Sequence, residues 1–245
     1  MKRIAVAFTA VAMVFALSGV AQAAPHFTKA DRLLFFFGDK GSTKWQSGKD
    51  DQGIFVDDSP LDSNHSRLKL SVPEQTGNDY TGVYAKNTGL GGQLVGNVRN
   101  LSFDYLDPSG GGYAGAGAPR FSVPIDENGN GTPEGYAFMA GSECTQPIPS
   151  SDWDRADFTG RTSAGCDMYY LGLPYSSNGT MSAWAVFAAA HPTFKIGTVS
   201  NGVAFVIQDE LGASFIDRVA FQNRMYQKGG WSNQSIILCP SESSC

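Results

Sequence analysis

Two groups of residues in this 245-residue chain combine types and spacing that suit chemistry. The first is the run Asp126-Glu127-Asn128-Gly129-Asn130-Gly131. Asp126, Asn128 and Asn130 offer oxygens at alternate positions and Gly131 permits a sharp bend, which is the opening half of a calcium loop. Glu134 adds a carboxylate, whereas Ala137 stands where a full loop carries its bidentate glutamate. A plain hairpin turn uses the same residues, because Asn and Gly favour turns anyway. Structural calcium and an ordinary turn are therefore both open. The second group centres on Trp153, set between Asp152 and Asp154. A flat indole stacks on the apolar face of a pyranose, and flanking carboxylates accept hydrogen bonds from its hydroxyls. Tyr169, Tyr170 and Trp231 extend this candidate ligand-binding set. The competing use of such rings is packing, since large aromatics dominate cores.

Catalytic signatures are sparse. No G-x-S-x-G elbow and no H-E-x-x-H helix occurs. The three histidines, His26, His65 and His191, do not assemble into a triad by spacing. Paired carboxylates are the remaining route to glycoside hydrolysis, from Asp209, Glu210 and Asp217, and a retaining pair needs a separation of about 5–5.5 Å. Asp209 and Glu210 are adjacent, and adjacent strand residues point to opposite faces. Asp217, in the segment FIDRVAF, is expected to share a face with Phe215 and Val219, which sets a carboxylate among apolar residues.

These residues need a scaffold, and the chain punctuates itself as one made of strands. Alternation marks 67–72 (RLKLSV) and 101–106 (LSFDYL), the latter with Leu101, Phe103 and Tyr105 on one face against Ser102 and Asp104. Further strands are expected over 31–38, 81–86, 121–125, 135–140, 153–158, 203–207 and 214–221. The stretch 40–62 is polar and turn-rich, and 110–117 (GGGYAGAG) reads as a loop. One short helix is expected at about 181–191, with Trp184, Phe187, Ala188 and His191 on one stripe and Pro192 ending it. Many short strands at this spacing predict a mainly β chain, a jelly-roll-like β-sandwich with that one helix inserted.

The first 23 residues read as a secretory signal peptide. Lys2 and Arg3 precede an apolar run from Ile4 to Leu17, and Ala21-Gln22-Ala23 is a small-x-small cleavage site. Residues 24–245 then form a single β-sandwich domain with a short C-terminal tail, and no membrane span is left after cleavage. In an oxidising compartment Cys144, Cys166, Cys239 and Cys245 favour disulfides over a metal site. Neighbours in sequence suggest Cys144–Cys166 and Cys239–Cys245 among three pairings, the first worth about 3 kcal/mol by loop entropy. Loss of Lys2 and Arg3 leaves 16 basic against 23 acidic residues, a net charge near −7. That balance, without any basic cluster, disfavours nucleic acid.

The segments LSFDY, SDWDRADFTG and ASFIDRVAF are similar to three strands of secreted jelly-roll carbohydrate-binding modules. Those modules carry a W-x-x-x-x-F strand and an ID-x-V strand, matched here at Trp153–Phe158 and Ile216–Val219. The resemblance covers about a quarter of the mature chain. It implies a β-sandwich, calcium as a structural ion in some members, and glycan contact through exposed aromatics. The alanine-rich segment around Trp184 and the Cys239–Cys245 tail depart from the pattern. The expectation is thus a secreted, non-catalytic module for an extracellular or cell-surface glycan. Its alternatives are a structural or interaction domain of the cell envelope and a glycoside hydrolase with paired carboxylates.

Overall fold

The computed structural model describes residues 33–47, 66–74, 79–85, 88–107, 119–139, 145–148, 151–159, 168–172, 184–198, 205–209, 211–222 and 224–226. The leader, the 110–117 loop, Trp231 and all four cysteines lie outside them. The strands are β1 (Leu33–Phe37), β2 (Ser42–Ser47), β3 (Ser66–Val72), β4 (Thr81–Ala85), β5 (Leu101–Leu106), β6 (Arg120–Asp126) and β7 (Gly135–Met139). They continue with β8 (Thr145–Pro147), β9 (Asp154–Asp157), β10 (Met168–Gly172), β11 (Lys195–Ile196), β12 (Phe205–Gln208), β13 (Gly212–Phe221) and β14 (Arg224–Tyr226). A single α-helix, α1 (Trp184–Ala190), sits between β10 and β11. No helix among the described residues is long and apolar enough to cross a membrane.

The strands form two antiparallel sheets, so the chain is mainly β, as its alternation predicts. One sheet runs β1-β4-β12-β6-β7-β10, with β11 added to β6. The other runs β2-β3-β13-β5-β9-β8, with β14 added to β13. Between them lies the core, where Phe121 of the first sheet meets Phe103 and Phe221 of the second, and Phe158 just after β9, at 5.5, 5.5 and 5.1 Å. The contacts with Phe158 and Phe221 are edge-to-face, a geometry worth about 0.5–1.5 kcal/mol per pair beyond the burial itself. In α1, Trp184 and Phe187 face this core, and the Trp184 indole N–H donates to the Val95 carbonyl at 3.2 Å.

Two local readings change. The polar 40–62 stretch contains a strand, β2, whose register sets Trp45 opposite Leu68 and Lys44 opposite Lys69. A period-two pattern is there once Trp45 is recognised as the inward residue. In β13 the register slips between Asp217 and Ala220, and Arg218 takes a positive φ of 46°. This bulge resets the alternation, so Phe215 and Asp217 keep the outer face while Val219 turns into the core. The shared face expected for Phe215, Asp217 and Val219 is broken by that one residue.

Candidate functional site

The outer face of the first sheet is aromatic. Val83, Val206, Phe121, Val123 and Ala137 point into the core, so their strand neighbours point away from it. Register then lines up Leu34, Tyr84, Phe205, Ser122, Phe138 and Tyr169 as one row of positions crossing six strands. A second row holds Phe36, Gly82, Ile207 and Arg120. Tyr84, Phe36, Ile207, Arg120, Tyr136 and Phe138 are half-buried. Phe36 lies 6.1 Å from Tyr84 and 6.0 Å from Tyr80, and Tyr136 stacks on Phe138 at 6.2 Å. Gly82 makes this close packing achievable, because a Cβ there would lie 2.5 Å from Phe36 Cζ. From Tyr84 to Phe138 is three strand spacings, about 14 Å.

One charge stands in these two rows. Arg120 places its guanidinium 5.2 Å from the Phe138 ring centroid, within cation–π range. Both of its terminal nitrogens donate to Asp209, Nη2 to Oδ2 at 2.6 Å and Nη1 to Oδ1. The row centre is Ser122, fully buried, whose hydroxyl has no hydrogen-bond partner among the described residues. The face therefore offers half-buried rings and a neutralised cation, while the Ser122 hydroxyl lies covered beneath them.

The outer face of the second sheet carries a buried ionic cluster. Asp104 is 0% exposed, accepting from Arg155 Nη1 at 2.7 Å and Arg218 Nη1 at 3.5 Å. Arg155 Nη2 donates to Ser102 Oγ at 2.9 Å, which donates on to Asn100 at 2.8 Å. Asp217 stands opposite Asp104 in register and accepts the Arg218 N–H at 2.8 Å. Ser102 and Asp104, expected on a polar face, are thus as buried as the core side of the same strand. Asp104 and Asp217 are paired carboxylates, yet both are fully buried and set among arginines, so this pair presents no carboxylate to a substrate. Asp209 is engaged by Arg120, and Glu210 lies outside the described residues.

The residues singled out from sequence are scattered. Trp153 is fully buried against Ile148, Phe215 and Leu106. A buried indole offers no stacking platform, so the expectation of an exposed Trp153 is corrected. Packing wins there because Phe215 and Leu106 give this outer face an apolar corner. Asp152 is exposed and Asp154 half-buried, and burial pushes the Asp154 carboxyl above its ordinary value. Asp154 pairs in register with Tyr105, whose phenol is pushed well above its ordinary value by burial and then by Asp107 and Asp154. Tyr169 and Tyr170 pair in register with Phe138 and Ala137. Trp231 lies outside the described residues.

The Asp126 segment forms the β6–β7 turn. Asp126 Oδ1 accepts from the Gly129 and Asn130 amides at 2.7 and 3.1 Å, and Oδ2 from Gly131 at 2.8 Å. Asn128 and Asn130 accept from the amides of Asn130 and Thr132 at 3.0 and 2.7 Å. Glu134 accepts from the Glu127 amide at 2.8 Å and from the Asn128 side chain. All four expected metal-site residues therefore belong to one self-bonded turn. Among the described residues no group of three or more His, Cys, Asp or Glu gathers as a metal site.

Sequence reasoning missed Phe36, Tyr84, Arg120, Tyr136 and Phe138. The signal was present in 135–139 (GYAFM), where aromatics alternate with Gly and Ala. An aromatic stripe is ordinarily assigned to the core, and here the small residues face inward instead. Set against models of protein families, curated proteins and solved structures, the chain matches none.

Proposed function

We propose that this chain is a non-catalytic binding module that holds an extracellular glycan on the outer face of the β1-β4-β12-β6-β7-β10 sheet. The observation that carries this is the row through Tyr84, Ser122 and Phe138, flanked by Phe36 and Tyr136. Sugar rings present apolar faces to aromatics, and a row of about 14 Å accommodates about three rings side by side at one strand spacing each. Export follows from the leader, with cleavage after Ala23, and the four cysteines serve as disulfides outside the cell. We also propose a structural calcium in the β6–β7 turn, because Asp126, Asn128 and Asn130 carry oxygens at the spacing of the opening half of a calcium loop, with Glu134 close by; the ion would compete with the turn amides that these oxygens accept from.

Affinity electrophoresis of the exported chain through gels containing neutral β-glucan, xylan or mannan tests the glycan reading. Retardation by at least one polymer is expected, and Tyr84→Ala with Phe138→Ala is expected to abolish it while the near-ultraviolet circular dichroism of the fold persists. Free migration through every polymer overturns the reading. It would favour an envelope interaction domain, for which the burial of Trp153 and Trp184 already speaks.

A further inference from the structure

A glycan-binding face still has to choose between neutral and acidic sugars, and Arg120 is the residue positioned to decide. Its guanidinium is the single charge in the two central rows, next to the Phe138 ring on which a sugar would stack. A guanidinium fork matches a carboxylate in a bidentate, planar way. A uronic acid would present that same group. In this chain the fork is already taken by Asp209, each terminal nitrogen donating to one carboxylate oxygen. The Arg120 side chain is 13% exposed and Asp209 36%, so the outer member of the pair towards solvent is the anion.

We propose that Asp209 is the charge-selectivity residue of this face: it occupies the Arg120 fork so that neutral glycans are accepted and uronate-bearing ones refused. The inference rests on the glycan reading above. An intramolecular carboxylate acts at an effective concentration that dilute external carboxylates do not match. A uronate approaching Arg120 also meets the like charge of Asp209, which is repulsive at short range. Without Asp209, the same site becomes an aromatic-backed cation.

The test compares the wild-type chain with Asp209→Asn, Asp209→Ser and the double variant Asp209→Asn/Arg120→Gln. Neutral β-glucan, xylan and mannan are run beside polygalacturonate and alginate. Wild type is expected to be retained by a neutral polymer and by neither uronate. Asp209→Asn and Asp209→Ser are expected to bind a uronate polymer at least tenfold more tightly than wild type. That gain should fade with added salt and vanish in the double variant. If neutral binding persists but neither single variant gains uronate binding, or if wild type already binds uronates, the role of Asp209 is overturned. If no variant is retained by any polymer, the glycan reading itself fails. The serine variant keeps the test decisive should the asparagine variant not fold.

Discussion

Replacing Asp104 by alanine should unfold this protein more readily than almost any other polar substitution. Asp104 is fully buried and accepts from Arg155 at 2.7 Å and Arg218 at 3.5 Å, with side-chain exposures of 20% and 5% for the two arginines. Deleting the carboxylate removes an anion shared by two guanidinium groups on a covered face. Removing one partner of a buried pair costs about 3–5 kcal/mol, because the remaining charge loses its compensation. For a domain of about 220 residues each kcal/mol lowers Tm by about 2–4 °C, so a fall of about 10 °C is expected. Thermal unfolding followed by tryptophan fluorescence measures the fall and urea unfolding the free energy, since Trp153 and Trp184 are buried and should respond on exposure. Asp104→Asn keeps an acceptor without the charge and should fall between wild type and alanine. Asp152→Ala, at an exposed position, should stay within about 0.5 kcal/mol of wild type. Adding Arg155→Leu to Asp104→Ala should recover part of the loss, giving a coupling energy in a double-mutant cycle. A loss below about 1 kcal/mol for Asp104→Ala would refute the reasoning, because it would mean that water reaches both guanidinium groups.

Burial and the nearby Asp107 and Asp154 hold Tyr105 neutral beyond its ordinary range, so the unfolded chain releases that proton first, near pH 10. Stability should therefore fall as pH rises above about 10, by about 1.4 kcal/mol per unit for this group, and Tyr105→Phe should remove that slope from an alkaline urea series. Gly82→Ala should destabilise by about 1–3 kcal/mol and displace Phe36, because its Cβ would lie 2.2 Å from the Val206 carbonyl oxygen as well as against the Phe36 ring; an unchanged Tm would contradict this. Calcium at a hundredfold excess over its dissociation constant should add about 2.7 kcal/mol to stability, and a calorimetric scan with no shift would remove the ion from the β6–β7 turn. Asp126→Ala should abolish that shift and cost about 2 kcal/mol even without calcium, since charged acceptors of backbone amides are worth about 1.5–3 kcal/mol each.

Much of the β architecture was legible in the chain. LSFDYL forms β5 over the residues its alternation marks, RLKLSV and SFIDRVAF lie within strands, and the expected 81–86 strand is seen over Thr81–Ala85. The helix was legible too, though only Trp184–Ala190 of the expected span is helical among the described residues. The candidate site was legible only in part. Trp153 carries the right chemistry for a sugar platform, but it packs on Phe215. The binding face proposed instead draws Phe36, Tyr84, Arg120 and Phe138 from four strands separated by up to about a hundred residues.

By itself the sequence determined the strand class, the polar turns and the Asp126 turn, because alternation and turn chemistry act between near neighbours. The tertiary structure decided which face of each strand meets the other sheet. The GYAFM strand puts Ala137 in the core and its aromatics outside, while the LSFDYL strand buries both of its faces. Inside and outside are properties of the partner sheet, set by long-range pairing and by one bulge at Arg218. No local pattern contains that information, since a period of two names two faces without saying which of them water touches.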